Sequence, residues 1–425
     1  MIESPVDRGD VAVARYIPSG RMGDTLLTAM IASVFLEKYD LYLEDVFHVP
    51  TPIFTLASTL WLVRTALHSI VPKARRSSPV LAILFLWLVA LALSQLLRGL
   101  LDPGVVQLQL LLSLFHEFQL AIIALVFALT CTEHSLRISV SAVYLLAVAG
   151  ALVGAVQLVD LNIGSGQLSN VLDLRFRAAN GYLRPESFYS EPAYYGFFCL
   201  YGVAVAHSRL ISPRLRPEVG RVFLLVSGLS SLAFGPLLVA ACYIAAFMIT
   251  RGPRLIAYVG ASAAVLFLVG QTPVALAVVD RVDRILNAQD ASSLVRAALN
   301  DASLRLIAAH PLVGIGDGQS RYVLPSLVHV RGVELTAYNQ AGNSYLAVLL
   351  EGGLLSGVPL FSAILALLAF LLLNRHTWWA AAWLGMFMIS WLSVSTIALP
   401  VFWVMFGVIM GAHLLGRRRQ LLDNP

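Results

Sequence analysis

Apolar runs of about twenty residues recur along this chain, and no other feature constrains its fold as strongly. Each is long enough to cross a hydrocarbon core about 30 Å thick as a helix. The clear spanning candidates are 49–70, 79–98, 109–131, 138–160, 193–209, 255–273, 353–373, 377–395 and 400–416, with a shorter one at 25–36. Charged residues are 12% of the chain and hydrophobic ones 58%, whereas soluble globular proteins carry about 25% charged residues. The deficit extends along most of the length. The expected fold class is therefore an all-α polytopic membrane protein.

Basic residues in short joints set the expected orientation. Lys73-Arg75-Arg76, Arg209-Arg214-Arg216-Arg221, Arg251-Arg254, Arg375 and Arg417-Arg418-Arg419 belong in the cytoplasm, and the acidic joint 37–45 belongs outside. The segment 222–249 is flanked by Arg221 and Arg251 and interrupted by Ser230, Ser231, Gly235 and Pro236. Two short helices keep both flanks inside where one pass would not, and the surrounding bundle can tolerate their shortness. The plan is then about twelve spans with cytoplasmic termini. Its parts are an N-terminal bundle of about five spans over 1–160, a first external loop 161–192, and central spans 193–273 with the hairpin 222–249. A large external loop, 274–352, carries a helix at 292–309, and C-terminal spans with a basic tail cover 353–425.

Other classes are excluded briefly. Cys131, Cys199 and Cys242 lie in or beside apolar runs without a spacing pattern, so neither a disulfide framework nor a metal site follows. The net charge of +5 resides in the joints and is not a nucleic-acid footprint. The first 24 residues lack an apolar h-region, so no cleavable signal peptide is expected.

Chemistry is expected where both large loops open on one side. The first ends in a crowd of arginines, carboxylates and tyrosines that includes Arg175, Arg177, Arg184, Glu186, Glu191, Tyr194 and Tyr195. Arginine suits phosphate because its planar fork donates paired hydrogen bonds. For Tyr189, Tyr194, Tyr195 and Tyr201 the plainer reading is an interfacial aromatic belt. In the second loop, Val295, Leu299, Ala302, Leu306 and Ala309 make an apolar stripe at helical spacing. Arg296, Asn300 and Ser303 edge that stripe, whereas Arg305 falls on the opposite face, four residues after Asp301, as a surface ion pair. His310-Pro311-Leu-Val-Gly314-Ile-Gly316-Asp317-Gly318 is not a P-loop, and a tight turn is its default reading. Asn343 or Ser344 can cap the helix that runs to Glu351 before Gly352-Gly353. His116, Glu117 and Gln119 interrupt an apolar run, where ionisable groups face the bundle interior.

Three stretches resemble the O-antigen polymerase and ligase superfamily of envelope glycosyltransferases. Arg184-Pro-Glu-Ser-Phe-Tyr-Ser-Glu191-Pro192-Ala-Tyr-Tyr-Gly196 resembles an arginine and Glu-Pro-Ser-Tyr-Tyr-Gly entry to a helix seen in exopolysaccharide polymerases. Ser293-Leu-Val-Arg296 with Ala309-His310-Pro311-Leu-Val-Gly314-Ile-Gly316 is similar to the Ser-x-x-Arg…His-Pro-Leu-x-Gly-x-Gly signature. Asn343-Ser-Tyr345-Leu-Ala-Val-Leu-Leu-Glu351-Gly-Gly353 resembles the His-Asn-x-Tyr-Leu…Glu-x-Gly signature. Two departures stand out: the ligase histidine falls on Gly342, and the hairpin's frequent Ser-Arg is Ser231-Leu232.

The resemblance implies metal-independent joining of polyprenyl-pyrophosphate-linked oligosaccharide repeats at the outer face of a bacterial inner membrane, without a cofactor. It implies a carboxylate base (Glu191 first, then Glu186 and Asp317) and a pyrophosphate and substrate site drawn from Arg184, Arg296, Arg177, Arg321, Asn343 and Tyr345. The implied partners are the lipid-linked oligosaccharide, membrane lipid, a chain-length regulator and a flippase, with no nucleic acid. Two rivals are a ligase that moves finished polysaccharide to a lipid core, and a lipid-linked sugar transporter or flippase coupled through His116-Glu117.

Overall fold

The structure, a computed structural model, describes residues 21–35, 52–68, 78–101, 107–162, 176–179, 182–185, 187, 192–231, 233–251, 291–328, 341–395 and 399–423. Thirteen α-helices lie in these stretches. The first five are α1 (Arg21–Phe35), α2 (Pro52–His68), α3 (Pro79–Leu101), α4 (Gln107–Thr130) and α5 (Glu133–Asn162). A short ribbon, β1 (Phe176–Ala179) and β2 (Tyr182–Pro185), follows. Next come α6 (Pro192–Val205), α7 (Pro217–Ser230), α8 (Phe234–Arg251), α9 (Ala291–Ala309) and α10 (Ser320–Leu327). The chain closes with α11 (Ser344–Leu372), α12 (Trp378–Ser390) and α13 (Pro400–Asp423). Five helices open on proline (52, 79, 192, 217 and 400), where its fixed φ is preorganised and its missing N–H is no loss.

Four described helices are long and apolar enough to cross a membrane: α3, α4 from Ser113, α5 to Leu161, and α11. Four shorter apolar helices lie in α6, α8, α12 and α13. This is a helical membrane protein, and these elements do not reach a count of twelve spans. The expected span 255–273 lies outside the described residues.

The interruption in 222–249 does separate two helices, α7 and α8. The Ser231 hydroxyl donates to the Gly228 carbonyl, and Pro236 lacks the N–H that would continue a helix. The all-α expectation needs one amendment, the antiparallel β1–β2 ribbon within the first polar stretch. Asn180-Gly181 separates its strands in sequence, the dipeptide most suited to a two-residue hairpin turn.

Helix α6 is the axis of the core. It is buried from Tyr195 to Val205 and packs on α5, α7, α8 and α12. Tyr195 and Tyr201 are fully interior rather than interfacial, which corrects the aromatic-belt reading for both. Tyr201 stacks on Phe387 at 4.2 Å and shares a 2.9 Å hydrogen bond with Ser390 Oγ. That bond satisfies a hydroxyl that would otherwise be costly to bury. Trp391, Phe402, Trp403 and Phe406 extend this aromatic packing, and Trp403 stacks on Trp87 of α3 at 5.1 Å. All three cysteines are free thiols.

Candidate active site

Helix α11 is broken, and the break builds the site. Gly353 has φ 63° and ψ −169° inside an otherwise helical run. In an unbroken helix, Leu354 N–H and Leu355 N–H would donate to the carbonyls of Leu350 and Glu351. Here the His310–Gly318 loop takes all four groups. Leu354 N–H donates to Pro311 O (2.8 Å) and Leu355 N–H to Leu312 O (3.0 Å), while Leu350 O accepts from Ile315 N–H (2.8 Å) and Glu351 O from Gly316 N–H (3.1 Å). One helical turn is thereby exchanged for four bonds to a loop, as irregular backbone within a membrane bundle requires.

Two glycines make this exchange possible. Gly353 and Gly314 both have positive φ. A Cβ on Gly353 would stand 2.3 Å from Leu312 O, and one on Gly314 2.5 Å from Leu350 O. The two glycine-bearing motifs are thus two halves of one joint. Gln95 of α3 locks it: its Oε1 accepts from Asp317 N–H at 2.7 Å, and its Nε2 donates to Glu351 O at 3.4 Å.

The joint carries carboxyl groups. Ser320 Oγ donates to Glu351 Oε1 at 2.5 Å. Asp317 is 4% exposed, and its Oδ2 is buried without a hydrogen-bond partner. Burial holds the Asp317 carboxyl well above the usual carboxylate range; the negative neighbours Glu117 and Glu351 add to the rise, and Arg321 opposes it. Glu117 comes from α4 and Glu351 from α11, so separate parts of the chain contribute to the field on Asp317. Arg98 Nη1 lies 3.4 Å from His310 Nδ1 at the rim. Arg321 Nε donates to Gly318 O at 3.3 Å, and its guanidinium lies 6.0 Å from the Tyr322 ring. Among the described residues no group of three His, Cys, Asp or Glu side chains is arranged to hold a metal ion.

A second polar cluster lies where α9 and the start of α11 meet the C-terminal end of α12. Arg296 Nη1 donates to Ser393 O at 2.8 Å. Asn343 is the α11 N-cap, its Oδ1 accepting from Leu346 N–H at 2.7 Å. Ser344 Oγ donates to Val394 O at 3.0 Å and Tyr345 Oη to Met388 O at 2.8 Å. Gly342 N–H donates to Asn300 Oδ1 at 3.2 Å, and a Cβ there would stand 2.9 Å from that oxygen and 3.4 Å from Arg296 Cβ. The expected face of α9 holds for most of its length: Leu299 and Ala302 are buried and Val295 and Leu306 partly so, although Ala309 is exposed. Arg305 pairs with Asp301 at 2.9 Å on the solvent side.

The first polar stretch is described in part. Arg177 and Arg184 stand directly opposite one another in the β1–β2 register. Ser187 anchors the ribbon to α5, its N–H donating to Gln157 Oε1 at 2.9 Å and its Oγ to Gly150 O at 2.8 Å. Glu186 and Glu191 lie outside the described residues.

The structure thus gathers Asp317 and Arg321 in one cluster and Arg296, Asn343 and Tyr345 in another. Sequence reasoning did not pick out Gln95, Arg98, Glu117 or Glu351 as members of one site. Polar residues inside or ending apolar runs were the available signal, but their convergence is tertiary.

No curated protein matches the chain. A model of the O-antigen ligase family matches residues 219–361, roughly a third of the chain. That stretch contains α9, the His310–Gly318 loop and the break in α11. Through this region, which holds the joint and its carboxyl groups, the chain is similar to the O-antigen ligase family, and the match supports the O-antigen polymerase and ligase superfamily.

Proposed function

We propose that this protein is a polymerase that joins polyprenyl-pyrophosphate-linked oligosaccharide repeats at the outer face of a bacterial inner membrane. The observation that carries polymerase over ligase is Gly342. By the resemblance it falls where the ligase signature has its histidine, and a Cβ there would stand 2.9 Å from Asn300 Oδ1 and 3.4 Å from Arg296 Cβ. The twelve-span plan with cytoplasmic termini belongs to this reading. It sets Arg98, at the end of α3, and the His310–Gly318 loop on the outer side, where lipid-linked repeats are polymerised.

In the transfer, a sugar hydroxyl of the acceptor repeat attacks the anomeric carbon of the donor chain. The new C–O bond forms as the bond to pyrophosphate breaks, and that electron pair leaves with the pyrophosphate. Arginines stabilise the charge where it develops, in a site poor in water. The candidates are Arg177 and Arg184 on the ribbon, Arg296 on α9 and Arg321 on α10, with Asn343 and Tyr345 shaping the α11 end. The hydroxyl proton passes to a carboxylate. Glu191, Glu186 and Asp317 are the sequence candidates; Asp317 is the one among the described residues, a buried carboxyl whose Oδ2 has no hydrogen-bond partner.

A deletion strain tests the reading. It should accumulate single lipid-linked repeats, and long unattached chains would instead make the protein a ligase.

A further inference from the structure

Several surface arginines are answered by a neighbouring acid: Arg137 by Glu133, Arg221 by Glu218 and Arg305 by Asp301. The loop that joins α6 to α7 departs from this. Arg209, Arg214 and Arg216 are all exposed there, and among the described residues no carboxylate or carbonyl pairs with their guanidinium groups. Glu218, the nearest acid in sequence, is turned to Arg221 at 3.4 Å. The loop itself is well tied down. Ile211 is buried, Ser212 Oγ accepts from Arg214 N–H at 3.4 Å, and Tyr144 Oη of α5 donates to Leu215 O at 3.4 Å. Arg216, just before Pro217, has φ 45° and ψ 60°, left-handed backbone that a residue with a side chain rarely adopts. Its N–H donates to Pro213 O at 3.0 Å and its carbonyl accepts from Gly220 N–H at 3.1 Å, which hold it there. Strain retained in this way points to a functional demand on where the side chain is set. From the loop an apolar stripe runs along α7. Val219, Val222 and Val226 are 64%, 66% and 60% exposed at spacings of three and four, so that face stays apolar and uncovered for about 10 Å. Exposed apolar surface bordered by charge marks a place of contact with membrane.

We propose that this loop and the α7 stripe form a binding site for an anionic phospholipid. Its phosphate is held by Arg209, Arg214 and Arg216, and an acyl chain lies along Val219, Val222 and Val226. A guanidinium donates paired hydrogen bonds to phosphate oxygens. The stripe continues from the charges along the helix, which suits a ligand with a tail and gives a soluble anion nothing further to touch. A zwitterionic headgroup carries its own ammonium and leaves the three positive charges unanswered. The bound lipid covers the one face of α7 that packs on no neighbour, the other faces meeting α5, α6 and α8. The site is separate from the carboxyl joint and independent of the choice between polymerase and ligase.

The experiment is native mass spectrometry and thermal unfolding of the purified full-length protein in detergent, with phosphatidylglycerol or phosphatidylcholine added. Phosphatidylglycerol should be retained preferentially and should raise the Tm further than phosphatidylcholine does. The double variant Arg209→Gln/Arg214→Gln should weaken that retention about 25-fold, about fivefold for each arginine lost beside an anionic lipid. These two are chosen over Arg216, whose substitution would also disturb the strained turn. Arg137→Gln, which removes an exposed arginine already paired with Glu133, should leave retention unchanged. Equal retention of both lipids by the parent, undiminished retention in the double variant, or an equal loss in Arg137→Gln overturns the proposal. So does a Tm rise with inorganic phosphate that matches the rise with phosphatidylglycerol, because the site would then be one for a free anion.

Discussion

The two polar clusters on α11, one at its start and one at its internal break, are built from similar residues and used in opposite ways. At the α12 rim, Arg296, Asn343, Ser344 and Tyr345 each give a hydrogen bond to, or take one from, a main-chain group. At the break around Gly353, the backbone is equally well satisfied, yet the Asp317 Oδ2 is buried with no partner. Neutral buried hydrogen bonds are each worth about 1 kcal/mol and are cheap to keep. A buried unpaired carboxyl is a standing cost, tolerated where function needs it. The contrast is between side chains that hold the fold and a carboxyl oxygen that holds no hydrogen bond.

The comparison can be broken first at Asp317. Its carboxyl has a higher proton affinity in the folded protein than in the unfolded chain. Stability therefore falls as pH rises from the ordinary carboxylate value toward the raised one. Asp317→Asn removes that penalty, so its Tm at neutral pH should equal or exceed that of the parent while transfer is lost. A lower Tm would make Asp317 another anchor.

Next in size is the joint itself. Gly353→Ala places a methyl against Leu312 O in a backbone conformation that costs about 1–3 kcal/mol for a side-chain-bearing residue. Reduced folded protein in membranes, with a lower detergent Tm, is the expected outcome. A normal yield would mean that the break relaxes easily.

Arg296 then sharpens the rim. If its role ends at Ser393 O, Arg296→Lys keeps a donor and should leave polymer ladders unchanged. If it also holds pyrophosphate, the lost planar fork shortens them severely, and that is the outcome expected. Tyr345→Phe removes one hydrogen bond to Met388 O, about 1 kcal/mol, and should lower the Tm without changing ladder length. Smallest of all is Arg305→Ala, whose pair with Asp301 is 71% and 67% exposed and contributes roughly 0.3–0.5 kcal/mol. Ladders made by this variant should match the parent's in membranes holding equal protein.

Much of the fold is legible in the sequence because membrane helices report themselves through length and apolarity. The helices near 79–98, 109–131 and 138–160, and the split in 222–249, were readable in this way. The orientation of α9, with Arg296 inward and Arg305 paired outward, followed from helical periodicity alone. The ribbon at 176–185 escaped notice although Asn180-Gly181 was visible, because its strands are only four residues each and lack an alternating apolar face. The belt reading of Tyr195 and Tyr201 failed because a tyrosine's sequence neighbours do not reveal whether a partner such as Ser390 awaits it inside.

The site divides along the same line. Sequence by itself determined that this is a helical membrane protein, that glycines punctuate 310–318 and 352–353, and that Asp317 stands among them. Only the tertiary structure decided that those two glycine runs exchange one turn of hydrogen bonds, and that Glu117, two hundred residues away from Asp317, comes within electrostatic reach of it. Helical periodicity and hydropathy act between near neighbours in the chain. Electrostatic coupling between carboxyls acts through space, and depends on which helices the packed bundle sets side by side.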